Sequence, residues 1–383
     1  MSESRIDDSI TFIRSRFKTN GFIPLHAPHF GGNEKKYLEE CIDTTFVSSV
    51  GPFVDKFEAK IAEITQTKKA VAVVNGTAAL QVALKLVGVQ QNDEVITQAL
   101  TFIASTNAIA YNGAIPVFVD VDLDTMSMCP IAFENFLNEF GDKRENGTYN
   151  KQSGRKISAC VPMHTFGFAA KIVDLARVCK EWNISLVEDA AEALGSSYEG
   201  KALGSFGDVG ILSFNGNKIV TSGGGGAIVT NNVELGIHAK HITTTAKIPH
   251  PYEYAHDELG FNFRMPNLNA ALLCAQLEQL NMFLLNKRKL AEEYKAYFDK
   301  IGVNFKWEQE NTKANFWLMC IQLENRFERD LFLQQANHEG VMCRPIWTLM
   351  YKMPMYKDCQ RDSQVNAEFL EDRIVNIPSS FRK

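Results

Sequence analysis

Residues 209–230 read VGILSFNGNKIVTSGGGGAIVT, in which two apolar runs flank a polar loop and four consecutive glycines. The runs VGILSFN and GAIVTN have the length and apolar character of buried strands. Lys218 lies just beyond the first run, and the glycines after it leave room for a flat ring beside its side chain. This stretch therefore places a lysine at the end of a buried strand.

Outward from this stretch, strand and helix patterns alternate along the chain from about residue 55. Apolar residues at helical spacing mark DKFEAKIAEIT, AALQVALKLVG and AKIVDLARVCKEW. Five further apolar runs are typical of strands: AVAVVNG, VITQAL, AIPVFVDV, ISACVPMH and ISLVEDA. Strands separated by crossover helices predict an α/β fold, with a mainly parallel seven-stranded sheet and helices on both of its faces.

The alternating pattern stops near residue 232. Residues 232–260 are interpreted as an irregular connection, and a long helical pattern then runs from about Asn267 to Tyr297. The shorter elements after it are consistent with a small α/β unit. We therefore predict a large domain over residues 1–255 and a smaller C-terminal α/β domain over residues 256–383.

Composition and charge narrow the classes of partner. The chain has 383 residues, 45% of them hydrophobic and 22% charged, and its formal net charge of −5 includes no basic stripe that would support nucleic-acid binding. Its eight cysteines form no Cys-x-x-Cys pair, which argues against a zinc site or a dithiol centre. The amino terminus lacks a signal-peptide pattern, and no apolar stretch approaches the ~20 residues that span a bilayer. We expect a cytoplasmic protein that acts on a small molecule, without a membrane or metal partner.

The segment NGTAAL, residues 75–80, lies between a predicted strand and a predicted helix. Unpaired backbone amides at a helix start can hold an anion such as a phosphate, while Gly76 allows a close approach and Thr77 adds a hydroxyl. The same residues are also typical of ordinary helix capping. The pattern alone leaves both interpretations open.

Asp189 and Lys218 follow two of the predicted strands. An ionised Asp189 could keep a pyridine nitrogen protonated, so that the ring accepts electrons, or it could only cap the next helix. Lys218 could be an ordinary solvated lysine. As a nucleophile its amine must lose a proton that is normally held with a pKa of about 10.4, and condensation with an aldehyde-bearing cofactor achieves this. Ser213, five residues before Lys218, is placed to meet a phosphate oxygen.

From about Pro24 to Ser380 the chain resembles the DegT/StrS-type family of nucleotide-sugar aminotransferases. Nine segments carry the resemblance in the family's order: FIPLHAPHFGGNE, SSVGPFVDKFE, NGTAAL, DEVITQALTFIAS, VPMHTFGF, EDAAEALGS, SFNGNK with GGGGA, GFNFRM and VNIPSS. The resemblance implies a fold-type I aminotransferase that uses pyridoxal 5'-phosphate and works as a homodimer, with active sites at the subunit interface.

Position by position, the resemblance implies roles for particular residues. Lys218 would be the Schiff-base lysine, Asp189 the partner of the pyridine nitrogen, and Phe102 the ring that stacks on the cofactor. The other cofactor-binding residues would contact the phosphate or the ring hydroxyl: Gly76, Thr77, Ser213, Glu192 and, from the neighbouring subunit, Asn262. Glu192 departs from the family pattern, because many members carry Gln or His there. A carboxylate at this place would repel a phenolate oxygen unless it were protonated or turned away.

The resemblance also implies the reaction, in which an amino group passes from glutamate to a nucleotide-linked keto sugar in amino-sugar biosynthesis. FIPLHAPHFGGNE and RPIWTLM are most similar to enzymes of the legionaminic-acid and bacillosamine type. This implies a 4-keto-6-deoxy-N-acetylhexosamine on UDP or GDP, and a 4-amino product. Arg344 and Trp347 could line a sugar-nucleotide site or belong to a buried domain junction.

Two alternative functions stay open. A sugar dehydratase or lyase could use the same cofactor and scaffold, although the family's dehydratases carry His at the Schiff-base position, where this chain has Lys218. A non-enzymatic sensor of the cofactor or of a sugar nucleotide would not need both Lys218 and Asp189. His164, at the end of a predicted strand, is interpreted as a packed, hydrogen-bonded side chain without a catalytic role.

Overall fold

The computed structural model describes residues 3–382, which form twelve α-helices, sixteen strands and two short 3-10 helices, at Thr165–Gly167 and Met350–Lys352. The helices are α1 (Glu3–Phe17), α2 (Glu34–Asp43), α3 (Pro52–Thr65), α4 (Gly76–Leu86), α5 (Ile103–Tyr111), α6 (Pro130–Phe140), α7 (Ile172–Glu181), α8 (Val233–Thr243), α9 (Asn267–Leu277), α10 (Leu280–Lys300), α11 (Arg326–His338) and α12 (Val365–Glu371). The strands are β1 (Lys69–Val73), β2 (Glu94–Gln98), β3 (Ile115–Val119), β4 (Gly141–Arg144), β5 (Gly147–Asn150), β6 (Lys156–Val161), β7 (Ser185–Asp189), β8 (Ser197–Tyr198), β9 (Lys201–Ala202), β10 (Val209–Ser213), β11 (Gly226–Thr230), β12 (Asn304–Phe305), β13 (Thr312–Lys313), β14 (Met319–Gln322), β15 (Arg344–Pro345) and β16 (Ile374–Ile377).

The central sheet has the strand order β1-β11-β10-β7-β6-β2-β3. The pairs β10–β7, β7–β6, β6–β2 and β2–β3 are parallel, and β11 runs antiparallel to both of its neighbours. The hairpin β4–β5 extends the sheet where β5 pairs with β6. The predicted mainly parallel sheet is confirmed, but it has nine strands instead of seven because the β4–β5 hairpin joins it. The strands that end at one common edge are β1, β2, β3, β6, β7 and β10.

Alternate side chains of the strands pack on opposite faces of this sheet. On β2, Val95 packs with residues of α4 and α5, whereas its neighbour Ile96 packs with residues of α6 and α7. Both side chains are fully buried. A strand covered on both faces favours apolar residues at successive positions, which on β2 are Val95 and Ile96.

A second, antiparallel sheet has the order β12-β14-β16-β15 and lies within residues 304–377. Asp120, just after β3, connects helix α12 to the central sheet: its Oδ2 accepts the Asn366 amide and its Oδ1 accepts the Ala367 amide, both at 2.8 Å. These bonds at the start of α12 hold the C-terminal elements against the edge where the parallel strands end. The predicted domain boundary between residues 255 and 256 stays a prediction.

The interpretation of residues 232–260 as wholly irregular is wrong, because Val233–Thr243 form helix α8. Asn232 caps this helix, and its Oδ1 accepts the amides of Glu234 at 3.0 Å and Leu235 at 3.2 Å. Such a cap satisfies amides of the first turn that lack a carbonyl partner. The threonines and histidines of this segment weaken its helical pattern, so the sequence did not predict α8. The helix is stabilised by its cap and by packing against the sheet.

The long helical pattern from Asn267 to Tyr297 corresponds to two helices, α9 and α10, which are bent by 58° relative to each other. Across the described part of the chain, no single helix is both long and apolar enough to cross a membrane. The bent pair reaches that length and composition only when its two helices are taken together.

Candidate active site

A cavity of about 640 Å³ lies at the edge where the parallel strands end. Residues that follow β1, β2, β7 and β10 line one side, and residues of the C-terminal sheet and its loops line the other. Ligand sites form at this edge of open α/β sheets because loops and helix amino termini converge there. All the candidate residues except Asn262 line the cavity: Gly76, Thr77, Phe102, Asp189, Glu192, Ser213 and Lys218.

The amino terminus of α4 forms an anion-binding corner of the cavity. Asn75 Oδ1 accepts the Ala78 amide at 2.8 Å, and the amides of Gly76 and Thr77 at the helix start are left for a ligand. A Cβ added to Gly76 would come within 2.9 Å of the Ser213 Cβ, so a side chain at position 76 would push the two elements apart. The corner offers backbone amides and two hydroxyls, which are the groups that bind a phosphate.

Asp189 ends strand β7 and is buried, with 4% of its surface exposed. Its Oδ2 accepts the Ser105 hydroxyl at 2.6 Å, and its Oδ1 accepts the Ala191 amide at 3.1 Å. The Ser105 hydroxyl is in turn 3.0 Å from that of Thr101. These contacts fix the orientation of the carboxylate at the cavity wall. Sequence reasoning missed Ser105, because one serine in the first turn of a helix carries no signal of its own.

Lys218 lies in the loop after β10, with 13% of its side chain exposed. Its Nζ is 3.3 Å from Glu192 Oε1 and 3.7 Å from the centre of the Trp317 ring. Trp317 Nε1 donates to the Asn217 carbonyl at 2.6 Å, so the indole supports the backbone of the loop as well as the amine. Sequence reasoning also missed Trp317, since it is far along the chain from Lys218 and belongs to no local motif with it.

Glu192 is enclosed beside the amine of Lys218. Its Oε2 accepts the Phe166 amide at 2.9 Å. Burial raises the pKa of this carboxyl to about 7 and outweighs the opposite effects of Lys218 and the Phe166 amide, while nearby Asp189 raises it further. A neutral Glu192 is therefore accessible near pH 7, and in that form it exerts no charge repulsion on a neighbouring phenolate oxygen.

Glu192→Gln is expected to gain stability relative to the wild type as the pH rises. The folded cofactor-free protein keeps the Glu192 proton up to a pKa of about 7, whereas the unfolded chain releases it near 4.5. The wild type therefore takes up a proton on folding between these values, and its free energy of unfolding falls there by up to about 3 kcal/mol relative to the variant. Urea denaturation at pH 5 and pH 8 measures this difference. The exposed control Glu310→Gln is expected to show no such trend, and an equal trend in both variants would contradict the assignment.

Phe102 and Asn262 occupy different places relative to the cavity. Phe102 precedes α5 and lines the cavity with half of its surface exposed, so its apolar face is available to a flat ligand. Asn262 is exposed and lies outside the cavity of its own chain. Its Oδ1 accepts a hydrogen bond from Arg264 Nε at 3.0 Å.

Arg344 and Trp347 line the cavity from the C-terminal side. The Trp347 ring packs on Phe166, with the ring centroids 4.9 Å apart. The sequence left open whether Arg344 and Trp347 line a sugar-nucleotide site or belong to a buried domain junction. Their position supports the first of these, because both residues form part of the wall of a ligand site.

His164 is fully buried and belongs to the packing behind the site. Its Nε2 is 3.0 Å from Glu188 Oε2, and its Nδ1 accepts the Ala170 amide at 3.1 Å. Both ring nitrogens are thus engaged inside the protein. The interpretation of His164 as a packed, hydrogen-bonded side chain is confirmed.

Comparisons with known proteins agree on one family. The family model described as the DegT/DnrJ/EryC1/StrS aminotransferase family matches residues 28–382. A GDP-perosamine synthase of Escherichia coli O157:H7 is 37% identical over 358 residues, which are 94% of this chain and 93% of the relative. A Bacillus subtilis (strain 168) protein described as a pyridoxal phosphate-dependent aminotransferase, EpsN, is 36% identical over 93% of this chain and 90% of its own length. The crystal structure of the aminotransferase TlmJ from Streptoalloteichus hindustanus matches with a TM-score of 0.85 at 25% identity and 94% coverage of each chain.

Proposed function

Because this chain belongs to the DegT/DnrJ/EryC1/StrS aminotransferase family, we propose that it transfers an amino group from glutamate to a nucleotide-linked 4-keto-6-deoxy-N-acetylhexosamine. The enzyme is a pyridoxal-phosphate-dependent sugar aminotransferase. The proposed substrate is carried on UDP or GDP, and the product is the 4-amino sugar. The observation that carries this proposal is that Lys218, Asp189 and the amino terminus of α4 meet in one cavity.

The residues of the cavity fit pyridoxal phosphate in charge and shape. The corner at α4 suits the phosphate, because the close approach of Gly76 and Ser213 brings amides and hydroxyls together. The buried carboxylate of Asp189 suits a protonated ring nitrogen, and the open face of Phe102 suits the ring itself. When bound, the cofactor supplies an electron sink for the carbanion at the reacting carbon.

Lys218 is proposed to be the general acid and base of both half-reactions. Its Nζ takes or gives the proton at Cα of the amino donor in the first half and at the aminated sugar carbon in the second. Glu192, 3.3 Å away, and the Trp317 ring, 3.7 Å away, keep this amine in the cavity. Because the keto acid leaves before the keto sugar enters, the kinetics are expected to be ping-pong.

The sugar nucleotide is proposed to bind on the C-terminal side of the cavity. The Arg344 guanidinium suits a diphosphate, and the Trp347 ring suits a sugar or a base. The names of the Escherichia coli and Vibrio cholerae relatives refer to a GDP-linked sugar. The motifs FIPLHAPHFGGNE and RPIWTLM instead resemble enzymes for N-acetylated sugars. The carrier is therefore proposed as UDP or GDP, and the sugar as N-acetylated.

The two half-reactions test the proposal separately. Glutamate added to the holoenzyme is expected to move the cofactor absorption band from the pyridoxal to the pyridoxamine region. Keto sugars on UDP and GDP are then screened by mass spectrometry, where conversion of a ketone to an amine adds one mass unit. An unmoved band rejects the transaminase assignment. Loss of water from the sugar without amination would indicate the dehydratase alternative, and binding without either change would indicate a sensor.

We further propose that the enzyme works as a homodimer in which Asn262 completes the partner's site. The segment before Asn262 exposes large apolar side chains, with Tyr252, Tyr254 and Leu259 exposed by 80%, 83% and 78%. Apolar residues clustered on a surface mark interaction sites, and a two-fold interface would bury the same segment of both chains. Asn262 itself lies outside its own cavity, and while Arg264 Nε donates to its Oδ1, its Nδ2 can donate to the phosphate in a neighbouring site.

Asn262→Ala is expected to weaken the affinity for pyridoxal phosphate by about 10-fold to 150-fold, the loss of one hydrogen bond to a charged group. Mixing this variant with Lys218→Ala is expected to restore activity, because half of the sites in a mixed dimer would contain neither substitution. Activity of the mixture and cofactor affinity from absorption titrations measure both effects. Activity no greater than the sum of the separate variants would contradict a site shared between subunits.

A further inference from the structure

Asn376 lies on β16, between the two neighbours of that strand in the C-terminal sheet, and lines the cavity. It is buried, with 3% of its surface exposed. Its Oδ1 is enclosed, and within residues 3–382 no donor reaches it. A buried carbonyl oxygen of this kind nearly always has a hydrogen-bond partner in a folded protein, so this one calls for an explanation.

Along β16, Asn376 shares a face with the fully buried Ile374 and lies where this face meets the cavity. Val375 and Ile377, on either side of it, are fully buried in the main hydrophobic cluster. Successive side chains of a strand point to opposite faces, which places the carboxamide on the face that the cavity reaches. A valine at position 376 would satisfy strand and packing preferences without leaving an unpaired acceptor. The asparagine is therefore poorly explained by folding alone.

The surroundings of Asn376 form a wall that suits a sugar nucleotide. Its cross-strand neighbour on β15 is Arg344, which shares its face of the sheet and lines the cavity. Leu318, Ile346 and Trp347 supply apolar surface on the same side. The residues assigned to the cofactor come from the opposite side, at or just after the ends of β1, β2, β7 and β10. A ligand group at Asn376 thus belongs to the second substrate instead of the cofactor.

We propose that the Asn376 carboxamide turns about its last side-chain bond when the substrate binds, so that Oδ1 accepts a hydrogen bond from the sugar ring, from either a hydroxyl or an acetamido N–H. Asn376 would thereby distinguish sugars by the donor that they carry. This inference rests on the proposed function. It makes Asn376 a specificity-determining residue, because an oxygen that stays buried and unpaired rejects a ligand lacking the donor.

The test measures how much the sugar adds to nucleotide affinity. Calorimetry on the pyridoxal-phosphate-loaded enzyme compares UDP with UDP-N-acetylglucosamine and with UDP-glucose, and GDP with GDP-mannose, none of which carries a reactive ketone. Asn376→Ala is expected to reduce the increment due to the sugar by about 5-fold to 150-fold, the range for one hydrogen bond to a buried group. The affinities for UDP, GDP and the cofactor are expected to stay within twofold. If the variant loses the sugar increment with UDP-N-acetylglucosamine but not with UDP-glucose, the donor is the acetamido N–H. If it loses the increment with UDP-glucose or GDP-mannose as well, the donor is a hydroxyl.

A second variant separates binding from folding. Asn376→Val is expected to raise the thermal midpoint, because it removes a buried unpaired acceptor, and to lose the same sugar increment. The matched control is Asn304→Ala, which replaces an exposed asparagine on β12 of the same sheet. It should change neither the thermal midpoint nor the sugar increment. The proposal is overturned if the wild type binds no sugar better than its bare nucleotide, if the Asn376 variants keep the increment, or if they lose nucleotide affinity equally. The response of the cofactor band to glutamate is independent of these outcomes, so failure of the proposed function would be recognised separately.

Discussion

Replacing Lys218 by arginine is expected to lower the kcat of amine transfer by about 10³-fold or more, in line with the contribution of a positioned general acid and base. The guanidinium keeps the positive charge beside Glu192 Oε1 but does not release its proton in a protein. It can therefore neither attack the cofactor nor take up the Cα proton of the donor. Stopped-flow absorption with glutamate gives the rate of the first half-reaction directly.

Covalent attachment gives a second measurement on the same variant. Borohydride reduction of the wild-type holoenzyme is expected to leave the cofactor bound to the peptide that contains Lys218, and the variant should show no such adduct. Lys313→Arg, an exposed lysine on β13, is the matched control and should behave as the wild type. Amine transfer at the wild-type rate in Lys218→Arg would remove this residue from the reaction.

Asp189→Asn is expected to lower kcat by about 30-fold to several thousand-fold, because truncating one partner of a buried, hydrogen-bonded charge pair costs about 2–5 kcal/mol. The substitution preserves the size of the side chain and removes the negative charge that would face the ring nitrogen. The Ala191 amide would still donate to Oδ1, and the Ser105 hydroxyl, which can donate to Thr101 instead, would accept from the new Nδ2. The loss should therefore come from charge and not from position. The rates of the two half-reactions and the dissociation constant of the cofactor measure the effect of Asp189→Asn.

The control for this substitution is Asp174→Asn, on the exposed surface of α7. It changes the net charge equally and should leave the kinetics unaffected. If Asp189→Asn kept the wild-type rate with glutamate, the carboxylate would not be the partner of the ring nitrogen. In that case it would only anchor the Ser105 hydroxyl and the Ala191 amide.

The strands that build the site could be predicted because each lies between two covered faces. The run ISLVEDA became β7 and VGILSFN became β10, since parallel strands that are covered on both faces favour consecutive apolar residues in their centres. Parallel strands end at a common edge, so polar residues that follow them converge whatever the details of the loops. For this reason Asp189, Ser213 and Lys218, read from separate segments, line one cavity. Helix α8 was missed because its apolar pattern is weak and its N-cap is a local contact that composition does not reveal.

The sequence by itself determined the α/β sheet, the family and the strand ends that carry the candidate residues, because these follow from local apolar patterns and from short motifs. Only the tertiary structure decided which distant side chains complete the cavity. Trp317 reaches Lys218 and Asn376 faces the cavity because the C-terminal sheet docks against the edge of the central one. It also decided the state of Glu192, since burial sets its pKa near 7 and no pattern along the chain records how much water surrounds a carboxyl group.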